Sequence, residues 1–134
     1  MLGRWAAARQ ARSISSDGEK AGFLHTTVRR YLAGDDEALR TAFFGVVQTI
    51  SSDGEKRSVL TDALSFAQRA SVLQAVLDAA RGISSDGEKA ELLLAIARQH
   101  LLTNGQLRES FMKTTRSLSS DAEYRRVMEA IVTS

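Results

Sequence analysis

The chain has 134 residues, 43% of them hydrophobic and 25% charged, with 18 Lys and Arg against 16 Asp and Glu for a formal net charge of +2. These proportions are those of one globular domain and exclude disordered, collagen-like and membrane-embedded chains; a surplus of two charges without clustering does not point to a nucleic-acid or membrane partner. The lack of cysteine excludes a disulfide framework, a thiolate zinc site and a Cys nucleophile, and the lack of proline leaves helices with few breakers.

The opening stretch MLGRWAAARQARS carries interspersed Arg and no apolar centre, so it reads as a helix over residues 2–12 rather than as a signal peptide. It runs into ISSDGEK, Ile14 to Lys20. That phrase returns unchanged at Ile50 to Lys56 and Ile83 to Lys89, and once more as LSSDAEY, Leu118 to Tyr124. The spacings of 36, 33 and 35 residues fit an array with one helix-turn-helix hairpin per repeat. Each phrase also marks a helix start. Ser16, Ser52, Ser85 and Ser120 stand three residues before Glu19, Glu55, Glu88 and Glu123, the spacing of a capping box. In such a box the Ser oxygen accepts the N–H three residues on, and the Glu carboxylate reaches back to the Ser N–H. Asp17, Asp53, Asp86 and Asp121 follow in the first turn, where negative charge suits the positive end of the helix dipole.

Ten and fourteen residues beyond the leading Ile or Leu come Leu24 and Val28, Leu60 and Leu64, Leu93 and Ala97, Met128 and Val132, an apolar i, i+4 stripe. Seven and eleven residues before it stand Ala7 and Gly3, Phe43 and Leu39, Val76 and Val72, Phe111 and Leu107, which predicts a second helix ahead of every phrase. Its starts are marked by Gly34 with Asp35 and Asp36, by Ser71 ahead of Gln74 and by Thr103 ahead of Gln106. Eight helices are thus predicted, over residues 2–12, 17–33, 36–49, 53–68, 72–81, 86–102, 105–117 and 121–133. Short linkers make successive helices antiparallel neighbours. The expected fold is all-α, a right-handed alpha-alpha superhelix in a single helical-repeat domain over residues 1–134, and its start on the second helix type fits either a segment of a longer array or an unusual cap.

The chemistry-bearing residues read as structural. A calcium loop needs more oxygen ligands than Asp17, Gly18 and Glu19 supply, His25 and His100 are isolated, and no nucleophile elbow or phosphate-binding glycine pattern occurs. No catalytic, cofactor-binding or metal residue is therefore expected. Lys20, Lys56 and Lys89 are expected to pair with carboxylates of adjoining repeats in a ladder along one edge. Arg12, Arg81 and Arg116, with Gln48 at the fourth place, fall in the last turn of the second helix type, where cations suit the negative dipole end. Most aromatic residues lie on apolar stripes. Phe44 adjoins Phe43, so one of the two turns away from the main stripe; Phe44, Leu77 and Met112 share one register and are the candidate partner contact, an exposed apolar row crossing three repeats.

The four phrases, with ISSDGEKAGFL, ISSDGEKRSVL, ISSDGEKAELL and LSSDAEYRRVM, resemble the I-S-S-D-x-E-K-type HEAT-like repeats of bacterial proteins. These are similar to repeats in extracytoplasmic regions of membrane-bound metallopeptidase-type sensor-regulators. The resemblance implies an alpha-solenoid and, for its compartment, the periplasm; it carries over no catalytic residue, because no H-E-x-x-H is present. The leading expectation for function is a non-enzymatic scaffold that binds a protein or peptide of unknown identity and is able to self-associate. The alternatives are a sensory or assembly segment of a larger bacterial membrane-associated regulator and a HEAT-like nucleic-acid-binding domain. The capping serines give a direct test: Ser52→Ala should cost about 1 kcal/mol in chemical denaturation, and Ser120→Ala less, because a terminal helix frays.

Overall fold

The computed structural model describes residues 16–133. The helix read over residues 2–12, with Gly3, Ala7 and Arg12, lies outside the described residues. Among those described, the chain is all-α, with seven α-helices and no strand. They are α1 (Asp17–Leu32), α2 (Glu37–Gln48), α3 (Asp53–Ala63), α4 (Ala70–Ala80), α5 (Asp86–Arg98), α6 (Gly105–Arg116) and α7 (Asp121–Thr133). None of them is long and apolar enough to cross a membrane.

Helix starts follow side-chain chemistry. Asp36 caps α2 by accepting from the N–H groups of Ala38 and Leu39 at 3.0 and 3.1 Å. Asn104, not Thr103, caps α6 through the Leu107 N–H at 2.8 Å. The start of α4 differs more from expectation. Arg69 occupies the cap without a side-chain bond to the helix, and Ser71 falls inside the first turn. The Arg69 guanidinium instead donates to the carbonyls of Leu32 at 3.1 Å and Gly34 at 2.6 Å, closing the end of α1.

Helix ends depart from the periodic reading for a common reason. α3 stops at Ala63 and tightens into a 3₁₀ turn over Leu64–Phe66, although Leu64 and Ala67 remain buried. An i, i+3 spacing serves both helix types, so the apolar pattern does not register the change. α5 stops at Arg98 because His100 takes the left-handed conformation, φ 54°, at a helix end where such a residue closes the last turn. Leu101 then packs into the core from the connection.

Contacts sort the helices into two layers. α1, α3, α5 and α7 touch in succession, as do α2, α4 and α6, and the core lies between. Leu24, Leu60 and Leu93 from the first layer and Phe43, Val76 and Phe111 from the second are essentially inaccessible. Tyr31 bridges Phe23 and Phe43, with ring centroids 6.4 Å from each.

The row of Phe44, Leu77 and Met112 is not an exposed strip: Phe44 and Leu77 are buried and Met112 is half-buried. A helix in a stack is covered across the layers and also on its flank by the next helix of its own layer. Phe43 faces across, and Phe44 faces α4 beside Ala75 and Ala79.

The phrase glycine is not demanded by its backbone, since no described glycine has a positive φ. A Cβ added at Gly54 would meet nothing within 4 Å, and the fourth phrase carries Ala122 at the same place. Nothing in the structure explains why glycine recurs there. Gly54→Ala should accordingly stabilise by about 0.5–1 kcal/mol, read as a raised urea midpoint with an unchanged slope.

Candidate functional site

The repeated phrase makes many of the polar contacts between repeats. The hydroxyl oxygens of Ser16, Ser52, Ser85 and Ser120 accept the N–H groups of Glu19, Glu55, Glu88 and Glu123, each at 3.3 Å. The return arm of the capping box does not form. The Ser52 N–H donates to Asp17 Oδ2 at 2.7 Å, joined by the Ser51 N–H at 3.0 Å. Ser85 does the same to Asp53 at 2.7 Å, and Ser119 and Ser120 to Asp86 at 2.9 and 2.6 Å. The aspartate at one helix start thus holds the next phrase, roughly one repeat along the chain. Helical Cα–Cβ bonds tilt toward the N-terminus, so a first-turn side chain projects past the helix start, where the next phrase runs.

Two of the phrase glutamates, Glu88 and Glu123, take part in ion pairs instead. Arg57 Nε donates to Glu88 at 2.8 Å, linking α3 to α5, and Arg126 bridges Glu123 at 2.7 Å and Glu91 at 3.0 Å, linking α7 to α5.

Lys20, Lys56 and Lys89 do not form the expected ladder of carboxylate pairs. All three are buried along their stems, and their ammonium groups go to the ends of the second-layer helices. Lys20 Nζ donates to the Thr49 carbonyl at 3.1 Å and Lys89 Nζ to Ser117 Oγ at 2.9 Å. Lys56 Nζ lies 3.6 Å from where a Cβ would stand on Gly82. Thr49, Gly82 and Ser117 hold one place in the repeat, just before the leading residue of the next phrase. Helix C-terminal carbonyls are partly negative and short of donors, which is what an ammonium group supplies.

His25 is not isolated. Its Nδ1 meets Asp62 Oδ2, and its Nε2 lies 3.2 Å from Ser58 Oγ, so α1 is clipped to two residues one turn apart on α3. The order Ser, His, Asp is that of a hydrolytic relay. The N–H groups around Ser58 lie inside α3 and bond to carbonyls four residues back, which leaves no pair of amides to hold an oxyanion. The trio joins α1 to α3 through side-chain contacts. The sequence reading missed the trio, because His25 stands about a repeat before Ser58 and Asp62 and only the i, i+4 spacing of those two is local.

The second layer carries grooves. One of about 390 Å³ runs between α2 and α4, with Phe44 and Ala75 as apolar lining and Arg40, Gln48 and Asp78 as polar lining. Arg40 Nη1 is buried, 3.6 Å from Asp35 Oδ1, and makes no hydrogen bond. A second groove of about 210 Å³ lies between α4 and α6 beside Gln74, which exchanges hydrogen bonds with Ser110 at 3.0 and 3.1 Å. Among the described residues no group of three His, Asp or Glu side chains is placed to hold a metal ion. Compared with known proteins, the chain matches no family model, no curated protein and no solved structure.

The N–H groups of Ser51 and Ser52, helped by the charges of Lys20 and Lys56, hold the Asp17 carboxyl below the ordinary carboxylate range. A carboxyl whose folded-state pKa is lowered stabilises the fold above its unfolded value, and the contribution is lost as pH falls through the folded value. Asp17→Asn should therefore lower the denaturation midpoint at about pH 7, and the difference should shrink as pH falls through the folded value and the wild-type carboxyl takes up its proton.

Proposed function

We propose that this chain is a non-enzymatic α-solenoid scaffold, a right-handed superhelix of HEAT-like hairpins that binds a protein or peptide segment along its second layer. The observation that carries this reading is the groove between α2 and α4. Its lining is apolar at Phe44 and Ala75, and Arg40 keeps a buried guanidinium nitrogen that makes no hydrogen bond. A cationic side chain beside apolar ones suits an extended segment carrying a carboxylate next to an apolar side chain. Gln48 and Asp78 supply polar positions for its backbone. The repeat architecture supports the reading because solenoids bind along extended surfaces made by stacked, equivalent elements.

The test is an NMR titration with peptide pools in which an acidic residue neighbours a Leu or Phe. Perturbed amides should cluster at Arg40, Phe44 and Asp78, and Arg40→Glu should abolish the response. A response confined to other surfaces, or retardation of RNA in a gel that weakens steeply with salt, would replace peptide binding in the groove with another reading.

A further inference from the structure

We propose that the outer face of α7 receives the leading face of α1 from a second copy of this chain, so that copies stack head to tail in the register that joins repeats within the chain. The apolar evidence is positional. Ten residues after the leading residue of each phrase, Leu24, Leu60 and Leu93 are at most 1% exposed, whereas Met128 is only half-buried. Fourteen residues after it, Leu64 and Ala97 are buried and Val28 is half-buried, whereas Val132 is 79% exposed. α7 therefore carries apolar side chains where internal helices bury theirs under the next repeat.

The polar groups on the two faces are complementary. Asp121 is the fourth of the clamping aspartates and accepts no hydrogen bond among the described residues, and the Ser16 N–H makes none there either. Arg57 on α3 pairs with Glu88, which lies five residues after the leading residue of the following phrase. Arg125 stands at the place of Arg57 on α7, and Glu19 at the place of Glu88 on α1; both are exposed. Stacking the copies in the internal register brings the Asp121 carboxylate to the Ser16 N–H and Arg125 to Glu19, and covers Met128 and Val132. The two faces differ from each other, so the contact is heterologous and does not close at a dimer.

Sedimentation velocity of the chain from about 10 μM to about 1 mM tests this, a range that spans weak protein association. The average mass should rise continuously past that of a dimer. Arg125→Glu and Glu19→Arg should each weaken association about tenfold, with circular dichroism unchanged. Mixing the two variants should restore it, because both contacts between unlike chains then join opposite charges. A mass that stays monomeric over the whole range, one that stops at a dimer, or association indifferent to both reversals would each overturn the proposal.

Discussion

One carboxylate oxygen accepting the N–H of a serine a repeat later is the constraint on which the stack depends. Asp17, Asp53 and Asp86 each make this bond, at 2.7, 2.7 and 2.6 Å to Ser52, Ser85 and Ser120. The bond satisfies a donor that the helix's own carbonyls do not reach, and it ties the start of one first-layer helix to the start of the next. Had the glutamate taken that N–H, as in an ordinary capping box, the cap would be complete within its own helix and would say nothing about its neighbour. Handing the role to the preceding aspartate converts a local signal into a rule for stacking.

The lysine completes the rule in the second layer. Asp17 and Lys20, like Asp53 and Lys56 or Asp86 and Lys89, stand three residues apart and so share a helix face. The anion of each pair meets donors at a helix start, and the cations Lys20 and Lys89 meet acceptors at a helix end, so those partners are backbone or hydroxyl groups with the matching deficit. Burying the lysine stems adds apolar contact without taking the charged head away from hydrogen bonds. Variation in length between repeats is absorbed elsewhere, in the 3₁₀ turn after α3 and the left-handed residue after α5.

What sequence reasoning could and could not see follows from distance. The existence of the seven described helices, the serine caps of α1, α3, α5 and α7 and the Leu24, Leu60 and Leu93 stripe rest on spacings of three and four residues, and they were legible. The target of Asp17, the target of Lys20 and the partners of His25 lie about a repeat away, and a single sequence does not say which way a side chain leans. Phe44 was misjudged because an amphipathic pattern records burial against one opposing layer, while a stacked helix is also covered on its flank. The end of α5 was misjudged because Leu101 stays apolar after the helix has stopped. Neither the groove beside Arg40 nor the uncovered stripe of α7 has a sequence signature, since both are properties of what fails to pack against a helix.

The inter-repeat bonds between first-layer helices repeat the same chemistry at each of three junctions. A seam placed at Ser52 meets the same kind of carboxylate as one placed at Ser85 or Ser120. Phrases are thus interchangeable points for joining chain to chain, and removing or duplicating the stretch between two of them leaves every aspartate facing a serine. Exchange of whole units between related genes is the kind of change such a backbone absorbs most readily, and a shift of a few residues within a phrase the kind it absorbs least.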